Sequence, residues 1–265
     1  MTNCKVIAVS NQKGGVGKTT TVTNLGVALA LEGKRVCLVD ADPQANLSLA
    51  CGISQPEKLQ ISMHDILSMI MGEKELPDKA NYIHRASDAH ALDIIPSNIN
   101  LSITEINLRD EMGGEQTLAE LLNPLRDDYD YIIIDTNPYL VLLTINALAA
   151  CNEVIIPVSP QLWSATGLTD LLQTITKIKR KINPKISIAG ILITMGDERT
   201  RLFREAKELL EESYGDKMKI FSTHIPSTTK VGEANYSCKS IMEYDVNSKA
   251  SLAYKQLAKE VLANG

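Results

Sequence analysis

The sequence has no apolar stretch that approaches the ~18 residues of a membrane-spanning helix. Its N-terminus also lacks the basic segment and long apolar segment that together mark a secretory signal. We therefore expect neither a membrane span nor export, and we expect the protein to act in the cytoplasm.

Cysteine is scarce and scattered, with five residues in 265 and no C-x-x-C pair. An odd number of dispersed cysteines is typical of reduced thiols in a cytoplasmic protein rather than of disulfides or a zinc site. We expect most of them to be small core residues. The five are Cys4, Cys37, Cys51, Cys151 and Cys238.

Linker-like, low-complexity and repeated segments are also missing. The length and the 44% hydrophobic content suit one α/β unit, so we expect residues 1–265 to form a single domain. Because the first predicted strand begins at residue 5, we also expect no separate N-terminal DNA-binding domain. A net charge of −5 argues against a protein that is basic all over, but it leaves room for a local basic patch.

The most informative segment present is rich in glycine and lysine and lies between an apolar run at 6–9 and a helical pattern. Glycines at such a joint let backbone N–H groups converge on an anion, and the following helix adds its positive end. A chance match of a Gly/Lys turn is the alternative, but the strand and helix context favours phosphate binding. The residues assigned to it are Gly14, Gly15, Val16, Gly17, Lys18, Thr19 and Thr20.

Two positions make this loop unusual. A strict G-x-x-x-x-G-K-[ST] motif needs glycine at position 12, where this chain has Gln12. Lys13 adds a second cation, which cradling a phosphate does not require. Within the loop, Lys18 is placed to reach the β- and γ-phosphates and the Thr19 hydroxyl to ligate Mg²⁺.

Apolar strand-like runs alternate with helical patterns along most of the chain, which predicts a doubly wound α/β fold with a mostly parallel sheet flanked by helices. The predicted strands are 5–10, 35–40, 92–96, 131–135, 153–158 and 186–194. The predicted helices are 18–32, 98–110, 116–126, 140–150, 166–181, 200–214 and 249–262.

Ligands of such folds bind beyond the carboxyl ends of the strands, and three carboxylates fall there. Asp40 and Asp42 follow one predicted strand, and Asp135 ends an all-apolar one as a Walker B aspartate does. Mg²⁺ takes oxygen ligands of this kind, usually one or two from the protein. An Asp-Pro turn is the alternative for Asp40 and Asp42, and for Asp40 it stays open.

These segments resemble the ParA/Soj-type partitioning ATPases, within the ParA/MinD group of P-loop NTPases with a deviant Walker A motif. The matching segments are 11–20, 40–46, 131–135, 143–148, 225–226 and 233–234. They span nearly the whole chain in the expected order.

The resemblance implies a Mg²⁺-dependent ATPase that forms a homodimer around ATP. It makes Lys13 the signature lysine, which crosses to the partner's nucleotide and acts as an arginine finger does elsewhere. Lys18 keeps its role, Asp42 in the first switch orients or polarises the attacking water, and Asp135 holds Mg²⁺ through water. The stretch 136–141 departs from the family pattern at the second switch, which puts the hydrolysis rate in question.

The resemblance also implies non-specific binding to double-stranded DNA, release by hydrolysis, a ParB-like partner and a place on the nucleoid. Residues 177–207 carry nine cations against three acids, which suits phosphate binding, although solvated helix faces are the alternative. The residues that the resemblance most favours as DNA contacts are Arg199, Arg201, Arg204 and Lys230. The cargo, whether plasmid, chromosome or integrative element, is left open.

Two other functions compete with this interpretation. A MinD-like positioning ATPase acting on a membrane or a protein cargo needs a basic amphipathic tail, whereas the last segment predicts a helix packed on the core. A redox role like that of nitrogenase reductase needs cysteine ligands for a cluster, and Cys151 lies in a helical core pattern.

Overall fold

The computed structural model describes residues 4–87, 91–161 and 165–263, and within them it contains one seven-stranded sheet. The strand order is β3-β4-β2-β5-β1-β6-β7. The strands are β1 (Lys5–Val9), β2 (Val36–Ala41), β3 (His84–Ser87), β4 (Leu92–Ile95), β5 (Tyr131–Thr136), β6 (Glu153–Val158) and β7 (Ser187–Ile193).

All pairings are parallel except that of β3 with β4 at one edge. The register places Val9 of β1 opposite Asp135 of β5, and Asp135 opposite Asp40 of β2. The strand ends that carry the phosphate loop and two of the carboxylates therefore lie side by side, as the doubly wound prediction requires.

The central strands are buried on both faces because their side chains alternate between two clusters. Val6, Ala8 and Ile134 face one cluster with helices of the 63–71, 117–122, 142–150 and 165–181 segments. Ile7, Val9 and Ile133 face the other cluster, under the first and last helices. This explains the continuous apolar strands and confirms the predicted fold class.

The helices confirm most predicted segments, with different ends. They are α1 (Lys18–Leu31), α2 (Asn46–Ala50), α3 (Met63–Met71), α4 (Leu101–Asn107), α5 (Thr117–Leu122), α6 (Leu142–Ala150), α7 (Ala165–Lys181), α8 (Arg201–Tyr214), α9 (Thr229–Tyr236), α10 (Ile241–Tyr244) and α11 (Lys249–Ala263). The predicted helix 116–126 ends early because Pro124 cannot donate to the ladder, and a 3₁₀ turn continues from Asn123.

Several short elements are absent from the sequence prediction. These are α2, α3, α9, α10 and the edge strand β3. For α3 a signal existed, because Ser62 and Asp65 form a reciprocal capping box at its start. The others are too short to show a hydrophobic period.

The five cysteines are free thiols, as predicted. Burial raises the pKa of Cys4 to about 11 and that of Cys151 to about 12, so both remain protonated near neutral pH. In the part of the chain that the structure describes, no helix combines the length and the apolar character needed to cross a membrane.

Candidate active site

The phosphate loop connects the end of β1 to the start of α1. Gly15 and Gly17 have φ values of 72° and 82°, a left-handed backbone that favours glycine. Gly17 is the N-cap of α1, and no side chain caps the helix there. The first N–H groups of α1 therefore have no side-chain acceptor, and no acidic residue lies in the first turn of the helix. These N–H groups can bind an anion that lies beyond the start of the helix.

Neighbouring strands fix the shape of the loop. The Asn11 amide donates to the Pro157 carbonyl at 2.7 Å, while its Oδ1 accepts from the Lys13 N–H at 3.0 Å. On the other side the Thr194 hydroxyl donates to the Val16 carbonyl at 2.8 Å. These contacts join the loop to β6 and to the end of β7, and sequence reasoning assigned no role to Thr194.

Lys18 is buried and its ammonium donates to the Lys13 carbonyl at 3.1 Å. Burial lowers the pKa of Lys18, against the opposing effect of Asp135 and Asp42. Lys18 lines a cavity of about 340 Å³ together with Gly14, Gly15, Gly17, Thr19, Thr20, Asp42, Gln44, Asn46, Thr136, Pro138 and Met195. The lysine is thus held inside the loop beside carboxylates of two neighbouring strands.

Thr19 and Asp135 form a close pair at the base of this cavity. The Thr19 hydroxyl donates to Asp135 Oδ2 at 2.6 Å, and Asp135 Oδ1 is buried with no hydrogen-bond partner in the described residues. Burial, followed by the charge of Asp40, raises the pKa of Asp135 well above its usual range. An orphaned carboxylate oxygen beside a hydroxyl fits a Mg²⁺ ion, which would supply the missing partner.

In the described residues, no three His, Cys, Asp or Glu side chains come together as a metal cage. A Mg²⁺ ion bound with a nucleotide needs few protein oxygens, because phosphate oxygens and water complete its shell.

Asp40 and Asp42 have different surroundings. Asp40 accepts from Ser48 N–H at 2.8 Å, Ser48 Oγ at 2.7 Å and Asp42 N–H at 3.2 Å. Burial raises the pKa of Asp40 to about 6. Asp42 lines the cavity, and its Oδ1 accepts from Gln44 N–H at 2.9 Å. The geometry favours the turn-organising interpretation for Asp40 and leaves Asp42 facing the phosphate region.

The second switch, which we define as residues 136–141, forms a closed turn despite its unusual sequence. The Thr136 hydroxyl donates to the Val9 carbonyl at 3.0 Å. Asn137 Oδ1 accepts from Tyr139 N–H at 3.1 Å and from Thr144 Oγ1 at 2.9 Å. The Tyr139 side chain is 70% exposed. The residues that depart from the family pattern therefore build a hydrogen-bonded turn next to the cavity.

A second cavity of about 250 Å³ shares residues with the phosphate site. It is lined by Gly17, Thr20, Thr194, Met195, Ile225, Pro226, Ser227, Thr228, Val231, Gly232, Asn235 and Tyr254. The Asn235 amide donates to Thr20 Oγ1 at 3.3 Å, which joins α9 to α1. A largely apolar cavity beside a phosphate loop suits a nucleotide base. Sequence reasoning missed it because its residues are far apart in the chain.

Three of the four basic residues that the resemblance favours as DNA contacts are ion-paired. Arg199 contacts Asp197 through two nitrogens, each at 2.9 Å from an oxygen, which lowers the pKa of Asp197 to about 2. Arg201 contacts Glu205 at 2.6 Å, and Lys230 is bonded to Asp245. Arg204 forms no ion pair within residues 4–87, 91–161 and 165–263. Three of these residues surround the start of α8, and Lys230 lies at the start of α9.

Comparisons with known proteins show which family the chain resembles. The chain matches the AAA_31 family model, an AAA domain, over residues 4–188. It is 42% identical over 261 residues to the sporulation initiation inhibitor protein Soj of Bacillus subtilis, across 98% of this chain and 99% of that protein. It is 37% identical over 261 residues to the chromosome partitioning protein ParA of Caulobacter vibrioides, across 98% of this chain and 94% of that protein.

A solved structure extends the likeness to the fold. The cobyrinic acid a,c-diamide synthase from Mycobacterium smegmatis, solved with ADP and magnesium, has a TM-score of 0.84 and 33% identity to this chain, covering 98% of this chain and 95% of that one. Nearly full-length similarity to Soj and ParA, joined to a phosphate loop with lysine at both 13 and 18, shows that this chain belongs to the ParA/Soj family of partitioning ATPases.

Proposed function

We propose that the protein is a single-domain Mg²⁺-dependent ATPase that hydrolyses ATP to ADP and phosphate. The observation that carries the proposal is the Thr19–Asp135 pair, with its orphaned carboxylate oxygen beside buried Lys18 and the uncapped start of α1. Phosphoryl transfer depends mainly on positioning and charge stabilisation, and these groups provide both.

Each residue has one task in this proposal. Thr19 and Asp135 would hold Mg²⁺, Asp135 through water, and the N–H groups of the loop and Lys18 would bind the phosphates. Asp42 orients the attacking water from the first switch. Lys13 completes the site of a second subunit in an ATP-dependent homodimer, where it stabilises charge on the transferred phosphoryl group. The 250 Å³ cavity holds the adenine base.

We expect phosphate release from ATP in Mg²⁺ and its loss when EDTA removes the metal. Gly232→Leu should raise the KM for ATP at least about tenfold, because the position lines the base cavity and a leucine there would compete with the base for space. The fold should tolerate the substitution, since a Cβ at this position meets nothing within 4 Å. Gly232→Ala is the matched control and should retain the wild-type KM, since alanine suits a helix better than glycine. Metal-independent turnover, or an unchanged KM in Gly232→Leu, would contradict the proposed site.

The family supports a role in segregating DNA. In this role the ATP-bound dimer binds double-stranded DNA without sequence preference, on the nucleoid in the cytoplasm, and a ParB-like partner stimulates hydrolysis and release. Clustered cations near the start of α8 and at Lys230 suit a phosphate backbone rather than base reading.

The ion pairs of these cations yield a sharp test. Asp197→Asn should remove the ion pair of Arg199 and one of its two side-chain hydrogen bonds to residue 197, and should raise DNA affinity of the ATP-bound protein about threefold or more at low salt, with a salt slope steeper by about one. Asparagine keeps the oxygen that accepts from Arg199 N–H, so the loop is retained. Filter binding or anisotropy with two unrelated duplexes measures both quantities.

Glu212→Gln, at an exposed position of α8, is the control, because it removes the same charge and Glu212 forms no ion pair within the described residues. Equal gains in both variants would show a general charge effect and no role for Arg199. Strong discrimination between the two duplexes would contradict non-specific binding.

A MinD-like role on a membrane is less well supported. The apolar stripe of α11 is occupied, since Tyr254, Leu257 and Val261 are buried in the cluster that also contains α1 side chains. That stripe packs against the core, and lipid binding would need it exposed.

A further inference from the structure

The start of α6, directly after the second switch, is capped by a residue from another helix. Both oxygens of the Glu105 carboxylate accept backbone N–H groups, Oε1 from Leu142 and Oε2 from Leu143, each at 2.8 Å. The N-cap residue of α6 is Val141, whose side chain cannot cap. Glu105 therefore satisfies two of the N–H groups that a helix leaves unpaired at its start.

The position of this carboxylate is well fixed. The Glu105 side chain is only 13% exposed, and the Arg109 guanidinium lies 4.0 Å away, in the turn that follows α4. The negative charge of Glu105 also interacts favourably with the positive end of the α6 dipole, which strengthens the two hydrogen bonds. Since residues 136–141 end where α6 begins, Glu105 holds one end of the second switch while Thr136, bonded to Val9, holds the other.

The segment that leads into α4 is anchored to Ser48, which contacts Asp40. The N–H of Ser97 donates to Ser48 Oγ at 3.0 Å, and Ser48 donates to Asp40, which in turn accepts from Asp42 N–H. Leu101 and Thr104 on α4 and Leu108 at its C-cap are buried, so this side of the helix packs into the protein. Glu105 thus extends from a helix that is fixed next to the first switch.

We propose that Glu105 is a positioning residue for ATP hydrolysis, which acts by fixing where α6 begins and thereby the conformation of the second switch. This inference rests on the proposed ATPase function. Glu105 is not among the residues that line the phosphate cavity, so its effect reaches the reaction through the backbone of Leu142 and Leu143. Misplacement of a switch by about 1 Å is enough to lower a rate by up to about 100-fold.

A second glutamate supplies a matched control. Both oxygens of Glu260 on α11 also accept consecutive backbone N–H groups, from Ser222 at 3.1 Å and Thr223 at 2.8 Å, and its side chain is 12% exposed. Glu105→Gln and Glu260→Gln each replace one acceptor oxygen by an NH₂ group and remove one charge. The two variants should lose similar stability, with a melting temperature lower by about 2–4 °C.

Turnover and amide exchange separate positioning from simple capping. In Glu105→Gln we expect kcat to fall about 10- to 100-fold, KM to stay within about threefold, and the amides of Leu142 and Leu143 to exchange faster in nucleotide-free protein. In Glu260→Gln we expect the wild-type kcat.

If Glu105→Gln and Glu260→Gln had equal melting temperatures and Glu105→Gln kept the wild-type kcat, the inference would be overturned, because Glu105 would then be an ordinary helix cap. Unchanged exchange at Leu142 and Leu143 would overturn it as well. A wild-type protein without turnover would overturn the proposed ATPase function and this inference with it, whereas wild-type turnover with an unaffected variant would overturn the inference alone.

Discussion

Asp42→Asn is expected to lower kcat for ATP hydrolysis at least about 100-fold while ATP affinity stays within about threefold. Asparagine has nearly the shape of aspartate, and its Oδ1 retains the bond that Asp42 accepts from Gln44 N–H at 2.9 Å. The first switch therefore keeps its fold, and the variant loses only the negative charge that we propose orients and polarises water. Phosphate release gives kcat, and equilibrium binding of a labelled nucleotide gives the affinity.

Asp78 provides the control for this substitution. Its Oδ1 accepts from Ala80 N–H at 2.9 Å, the same contact two residues along the chain, at an exposed position before β3. Asp78→Asn should turn over ATP at the wild-type rate. If Asp42→Asn did so too, Asp42 would have no part in the chemical step, and water would have to be oriented by another group.

Slow hydrolysis in Asp42→Asn should also leave the protein in its ATP-bound form for longer. In the proposed cycle that form binds DNA, so the variant should stay on DNA after ATP is added, whereas the wild-type protein dissociates as it hydrolyses. Rapid release of the variant would show that dissociation does not wait for hydrolysis.

Much of the fold could be predicted because its signals are local. The strand Ile132-Ile133-Ile134 and the other apolar runs needed no long-range information, and the phosphate loop is one contiguous segment. Asp135 could be placed beside that loop because parallel strands end at one sheet edge, and the register with Val9 bears this out. Sequence spacing alone therefore locates the phosphate half of the site.

The other half depends on contacts between distant segments. Asn235 reaches Thr20 across 215 residues, and Glu105 reaches Leu142 across 37, so no local pattern indicates either contact. The same reason explains the basic residues. Their charges are visible in the sequence, but Lys230 finds its partner Asp245 only in the fold. The sequence shows that the second switch departs from the family pattern, but only the structure shows that these residues form a closed turn.

Lys13→Ala is expected to abolish ATP-dependent dimerisation and to reduce turnover by about 10³-fold or more, the range of an arginine finger. The contacts at position 13 are made by the backbone, whose N–H donates to Asn11 and whose carbonyl accepts from Lys18. Alanine preserves both contacts. The Lys13 side chain is half-buried and forms no ion pair within the described residues. The substitution therefore removes a cation without disturbing the loop that binds the nucleotide.

Lys18→Ala is the contrasting variant. Buried Lys18 lies within its own phosphate cavity, so its loss should eliminate nucleotide binding by the monomer, whereas Lys13→Ala should bind ATP within about threefold of wild type. Sedimentation with a non-hydrolysable ATP analogue and with ADP measures dimerisation, and the same samples give nucleotide affinity.

A Lys13→Ala protein that still dimerises in the analogue would place Lys13 in its own subunit's site. Equal loss of nucleotide binding in both variants would show that the two lysines do the same work. The cross-dimer role requires that they fail differently, since one cation serves the nucleotide of its own chain and the other that of the partner.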